Sequence, residues 1–132
     1  MSLPRVLFVC VGNACRSQMA EGFARSYGKD VMAADSAGLA PAITVPVETR
    51  QTMAEKNIDI SEQFPKPVTI FPPGLFDTVV NISGYRIPGF PQTLDWKVND
   101  PIGGSPDEYR AARDQIEQLV QKLILDLRRK NK

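Results

Sequence analysis

Cys10-Val11-Gly12-Asn13-Ala14-Cys15-Arg16-Ser17 brings two thiols, a guanidinium and a hydroxyl into one short stretch. An arginine offers two parallel N–H donors to a tetrahedral oxyanion, which a lysine cannot do. A thiol at the junction of a strand and a helix faces free backbone N–H groups and the positive end of the helix dipole. Both favour the thiolate, which is the nucleophilic form. Ser17 can hydrogen-bond that sulfur. Gly12 lets the backbone turn without a side-chain clash, and Asn13 tolerates a left-handed conformation. The stretch therefore predicts an oxyanion cradle built by Val11, Gly12, Asn13, Ala14, Cys15, Arg16 and Ser17 around a nucleophile at Cys10.

The flanking elements are what would hold such a cradle. Residues 6–9 (VLFV) form an apolar run without alternation, as expected of a strand buried on both faces of a parallel sheet. From Ser17 the spacing becomes helical, with Met19, Ala20, Phe23, Ala24 and Tyr27 on one side. Glu21, four residues before Arg25, reads as an exposed ion pair on that helix.

These residues, with the Ser17-Gln18-Met19-Ala20-Glu21-Gly22 that follows, resemble the C-x5-R-S phosphate loop of the low-molecular-weight protein tyrosine phosphatase superfamily, which includes thiol-dependent arsenate reductases. The resemblance implies attack by Cys10 on phosphorus or arsenic, charge stabilisation by Arg16, and no metal or cofactor. It also implies that Ser36, in Ser36-Ala37-Gly38, supports Asn13, although a strand-end serine bonded to its own backbone accounts for that residue equally well. Cys15 has two readings: a small thiol packed at a helix start, or a redox partner that traps oxidised Cys10, as in some members of the resembled family.

Composition narrows the chemistry further. The 132 residues are 42% hydrophobic and 23% charged, which suits one globular domain over 1–132. Net charge +1 argues against a nucleic-acid binder, and the basic 128–132 reads as a solvated helix end. No run is long enough to span a bilayer and no secretory signal pattern is present, so the expected location is the cytoplasm, without membrane partners. There is no histidine. Proton transfer must then use a carboxylate, tyrosine, thiol or water. Asp100-Pro101 resembles the general-acid loop of the same family, with proline stiffening the turn; a plain Asp-Pro turn is the structural alternative. In the catalytic reading Asp100 protonates the leaving oxygen and then activates the attacking water.

Along the chain, 31–38 reads as a second strand paired beside the first, 47–56 as a helix stopped by Asn57, and 75–83 as a third strand. The proline-rich 61–74 resists assignment, and 93–98 is a weak edge strand. Ser105-Pro106-Asp107-Glu108 is a capping box that starts a long helix lying on the sheet, its stripe formed by Tyr109, Ala112, Ile116, Leu119, Val120, Leu123 and Leu127. The fold class is α/β: a single-domain three-layer sandwich of about four parallel strands with helices on both faces and a phosphate-binding loop after the first strand. Ligands in such sheets bind beyond the carboxyl ends of the strands, where Cys10, Ser36, Ser83 and Asp100 would gather.

Two departures from the resembled family pull apart. The Ser-Gln-Met-Ala-Glu-Gly resembles arsenate reductases, yet 82–86, where thioredoxin-coupled reductases carry further cysteines, has none. On the phosphatase side, Asp100-Pro101 is followed by Ile102 instead of a substrate-slot tyrosine. Tyr85, Phe90 and Trp96 are available for that slot, with Trp96 better suited to the core. The sequence reads first as a cysteine-dependent phosphomonoester hydrolase working through a phosphocysteine, on a phosphorylated protein or small phosphomonoester. The alternative is arsenate reduction with an external thiol system. A non-catalytic oxyanion binder ranks third, since it needs neither Cys10 nor Asp100.

Overall fold

The computed structural model describes residues 2–130. Four strands, β1 (Arg5–Cys10), β2 (Ala33–Gly38), β3 (Thr78–Asn81) and β4 (Leu94–Asp95), form one parallel sheet in the order β2-β1-β3-β4. The helices are α1 (Arg16–Tyr27), α2 (Val47–Ala54) and α3 (Pro106–Lys130).

The central strand β1 explains its own composition. Val6, Phe8 and Cys10 face one apolar cluster, Leu7 and Val9 the other, and all five are buried. Alternate side chains leave a strand on opposite faces, so a central strand covered on both sides has no polar position. The first face is covered by α1, α2 and α3 through Met19, Phe23, Met53, Ile116 and Val120. On the second face the cover consists of the single-turn 3₁₀ helices Val68–Ile70 and Pro73–Leu75 with adjoining loops, packing Val68, Phe71, Phe76, Ile87 and Phe90. The α/β sandwich of four parallel strands is thus present, with very unequal layers.

Several boundaries move. Strand β3 starts at Thr78, because 73–75 is a 3₁₀ turn and Asp77 turns back, accepting the Arg5 N–H at 2.8 Å and donating its own N–H to the Arg5 carbonyl. Strand β4 keeps two residues of the expected six. Strand β2 begins at Ala33. Helix α2 ends at Ala54, and Asn57 stops it as a left-handed residue at φ +59° whose N–H reaches the Ala54 carbonyl. Helix α3 begins with the expected capping box: the Glu108 N–H donates to Ser105 Oγ and the Ser105 N–H to Glu108 Oε1. It packs chiefly against α1 and α2. At its far end Arg128 is paired with Asp30 at 3.1 Å, so that cation is not simply solvated; Asn131 and Lys132 lie outside the described residues.

Candidate active site

The loop between β1 and α1 is shaped by what its carbonyls do. Those of Cys10, Val11 and Gly12 accept from the N–H groups of Leu39 (3.2 Å), Ala40 (2.8 Å) and Ala42 (2.9 Å). The Asn13 carbonyl accepts from Gln18 Nε2 at 2.9 Å, and the Ala14 carbonyl from Thr49 Oγ1 at 3.0 Å. Five successive carbonyls are thereby tied to the surrounding scaffold. In a trans peptide the N–H points opposite to the C=O, so the N–H groups of residues 11–15 turn to the other side of the loop. A concave array of donors results, the arrangement that holds a tetrahedral oxyanion.

Two backbone features allow this curl. Asn13 adopts φ +48°. Gly38 lies so close beneath the loop that a Cβ there would stand 2.8 Å from the Val11 oxygen and 2.9 Å from the Asn13 nitrogen. The expectation for Gly12 is corrected: a Cβ at that position would meet nothing nearer than 3.8 Å, and the left-handed step falls on Asn13.

Cys10 is 3% exposed, and its Sγ lies 2.9 Å from Ser17 Oγ. Behind it runs a chain of buried hydrogen bonds. Asn13 Nδ2 donates to Ser17 Oγ (2.7 Å) and Ser36 Oγ (2.9 Å), and the Ser36 hydroxyl donates to Glu21 Oε1 at 2.6 Å. The Lys66 N–H donates to Asn13 Oδ1 at 3.0 Å, closing the set. Glu21 is therefore buried; only its partner Arg25 is exposed, which corrects the surface-pair reading. Lys66 Nζ lies 3.9 Å from Glu21 and is itself half-buried, and desolvation holds its pKa below the usual lysine value against the pull of Glu21 and Asp35.

Arg16 leaves the first turn of α1 and is buried. Its Nη1 donates to the carbonyls of Ile82 (2.7 Å) and Val98 (3.1 Å), which follow β3 and β4. That commitment leaves the Nε–Nη2 edge, a two-donor fork. Asp100 Oδ2 stands 3.6 Å from Nη2, while Oδ1 accepts the Ile102 N–H at 3.1 Å. The Asp100 side chain is 48% exposed, so this carboxyl can exchange protons with solvent. Cys10, Arg16, Ser17, Ser36 and Asp100 thus gather at the carboxyl end of the sheet.

Cys15 points away into the core under α1, with Sγ 3.9 Å from Met19 Sδ, and both thiols are free. Burial pushes its pKa up to about 12. Of the aromatic slot candidates, Trp96 packs on Phe8 at 5.8 Å, Phe90 is buried in the second cluster, and only Tyr85 is exposed. The segment after β3 is a locked turn: Asn81 Oδ1 accepts from the Ser83 N–H and hydroxyl, and Asn81 Nδ2 donates to the Tyr85 carbonyl.

Sequence reasoning missed Gln18, Thr49 and Lys66, which act on the loop from elements distant in the chain or through an unremarkable side chain. Glu21 carried a readable signal. It lies four residues after Ser17 and hence on the same helix face.

A short loop alone does not define a family, but here the match runs along nearly the whole chain. Residues 5–132 match the family described as low molecular weight phosphotyrosine protein phosphatase, and the chain belongs to that family of enzymes. It is 36% identical over 128 residues to a glutaredoxin arsenate reductase of Synechocystis, covering 92% of this chain and 97% of that protein. A solved arsenate reductase in the phosphate binding state superimposes with a TM-score of 0.87 at 35% identity, covering 95% of this chain and 99% of that one. The YwlE arginine phosphatase from Geobacillus stearothermophilus superimposes at 0.85 with 29% identity, covering 96% and 94%.

Proposed function

We propose that the chain reduces arsenate with an external thiol, Cys10 being the nucleophile. The observation that carries this reading is the pinned donor loop over a buried Cys10, on a chain whose relatives include a glutaredoxin arsenate reductase over almost its full length. The Cys10 thiolate displaces hydroxide from arsenic(V), and Asp100 supplies the proton that makes the leaving group water. The donors of residues 11–15 and the Arg16 fork balance the oxyanion charge. A thiol RSH then attacks Cys10 Sγ. The S–As electron pair stays with arsenic, which leaves as arsenite, and Cys10 becomes a mixed disulfide with R. A second thiol releases RSSR and regenerates the Cys10 thiolate. Two observations support an external source for both thiols: 82–86 holds no cysteine and is tied into the Asn81 turn, and Cys15, the one other thiol in the sequence, is buried with its pKa pushed up to about 12.

Hydrolysis of phosphomonoesters is the second reading. Its specific support is the same missing cysteine together with Asp100 beside Arg16, a pairing that serves an ester oxygen as well as hydroxide. In that scheme phosphorus replaces arsenic, and Asp100, once ionised, activates the water that opens the phosphocysteine. One experiment separates the two: arsenate reduction with glutathione plus glutaredoxin, thioredoxin or dithiothreitol, measured beside turnover of an aryl phosphate on one preparation. Arsenite release with a thiol supply, exceeding aryl phosphate turnover, is the expected outcome. Ester turnover without arsenite release would reverse the order.

A further inference from the structure

The Ala14–Cys15 peptide is the last unit of the cradle, and the backbone bonds that hold its neighbours do not reach it. Upstream, the carbonyls of Cys10, Val11 and Gly12 are held by the N–H groups of Leu39, Ala40 and Ala42, and Gln18 holds that of Asn13. Downstream, the ladder of α1 starts one carbonyl later, where Cys15 accepts from the Met19 N–H at 2.8 Å. Cys15 itself, at φ −140° and ψ −78°, stands outside the helical conformation. Among the described residues the Ala14 carbonyl has one donor, Thr49 Oγ1 at 3.0 Å.

Thr49 suits this place by position and by chemistry. It lies in the first turn of α2 and is fully buried. A hydroxyl has a single proton to donate, and a buried one is committed to a partner. The helix that carries it is itself held: Arg113, buried on α3, donates through Nη1 to the Thr52 carbonyl at 3.1 Å and to Glu55 at 2.7 Å, at the far end of α2. Burial raises the Cys15 thiol, and a hydrogen bond from Thr49 opposes that shift, so the same hydroxyl lies against both halves of the peptide. Thr52, on the same helix, instead commits its hydroxyl to the Glu48 carbonyl within α2, at 2.7 Å.

We infer that Thr49 is a positioning residue for the oxyanion: by holding the Ala14 carbonyl outside the cradle, it keeps the Cys15 N–H inside it. The inference rests on the reading of residues 11–15 as an oxyanion site and is independent of whether arsenic or phosphorus is attacked. Without the hydroxyl, the Ala14 carbonyl is a buried acceptor with no partner, which is destabilising. Rotation of the peptide relieves this by turning the carbonyl into the cradle, where a donor is lost and the carbonyl oxygen repels the anion. A bound anion draws the peptide back. The penalty therefore falls on the free protein: apparent affinity drops by the fraction in the competent orientation, and saturation restores the rate.

Calorimetric titration of the intact chain with inorganic phosphate, beside denaturant unfolding, tests the assignment. In Thr49→Val the phosphate dissociation constant should rise about tenfold, as for a competent fraction near one tenth. The KM of whichever oxyanion substrate is turned over should rise in step, with kcat nearly unchanged. Thr49→Ser, which keeps the donor, should restore both values. Thr52→Val, which deletes a hydroxyl of α2 that does not reach the loop, should leave phosphate affinity as in the wild type. Thr49→Ala supplies the measurement if Thr49→Val does not fold. Wild-type affinity in either folded Thr49 variant, an equal loss in Thr52→Val, or a fall in kcat at constant KM would overturn the role of Thr49 and leave the oxyanion site standing. A wild type that binds no phosphate would instead overturn the oxyanion reading of the loop, and this inference with it.

Discussion

Cys10 and Cys15 differ by burial and by partner, and their chemistry should differ accordingly. Cys10 meets the Ser17 hydroxyl and the helix N-terminus, whereas Cys15 sits in the core with its thiol raised to about 12. At pH 8 iodoacetamide should therefore alkylate Cys10 and leave Cys15 intact, as read by peptide mass; modification of both at equal rates would contradict the site geometry. Cys10→Ser should abolish turnover while phosphate still binds, measured by calorimetry. Asp100→Asn should lower turnover by about 10²- to 10⁴-fold, the scale of a positioned proton donor, with the smallest loss for an activated aryl phosphate. An equal loss for good and poor leaving groups would remove Asp100 from the proton-transfer role. As a redox partner, Cys15 is a protonated and therefore slow thiol. If it does trap oxidised Cys10, peroxide-treated wild type should lose two hydrogens in mass and recover with dithiothreitol, and Cys15→Ala should not recover.

At the level of elements, the phosphate loop depends on β2 as much as on β1 and α1. Gly38 allows the close approach, and the Ser36–Glu21 bond ties β2 to α1 beneath the loop. Gly38→Ala would place a methyl group 2.8 Å from the Val11 oxygen, and backbone on both sides cannot move independently. We expect a stability loss of about 1–3 kcal/mol, typical of overpacking, and a larger proportional loss of oxyanion affinity. Denaturant unfolding beside phosphate titration checks this; wild-type affinity in a destabilised variant would show the loop to be independent of β2. Thr49 reaches the Ala14 carbonyl from α2 and so ties that helix to the loop.

For the molecule as a whole, groups with raised pKa values link stability to pH. An acid held neutral in the fold binds its proton where the unfolded chain has lost it, so stability falls as pH rises past the unfolded value. For Cys15 that window opens near its ordinary 9.0 and extends to about 12, and burial is the cause. Tyr27, raised from 10.0 to about 12 by desolvation and then by Glu117, acts in the same direction, although much of its effect is screened by solvent. Thermal melts should therefore fall steadily above pH 9. Cys15→Ala, lower in stability at neutral pH, should lose less between pH 9 and 11 than the wild type; parallel curves would show that another group controls the alkaline limb.

What the sequence by itself determined is local in the chain. The strand–loop–helix from 5 to 27, the left-handed Asn13, the capping box at Ser105 and the long amphipathic helix all follow from spacing and from interactions across at most four residues. Such signals are legible because backbone geometry and helix periodicity act between near neighbours. The tertiary structure decided the rest. It alone put Ile82 and Val98 carbonyls on Arg16, 66 and 82 residues away, brought Lys66 to Asn13 across 53, and turned Glu21 from a surface partner of Arg25 into the buried acceptor of Ser36. It also shortened β3 and β4 to the residues that find ladder partners. None of these pairings leaves a mark in residue type, because a carbonyl is common to every residue and a contact between distant segments depends on how the sheet brings them together.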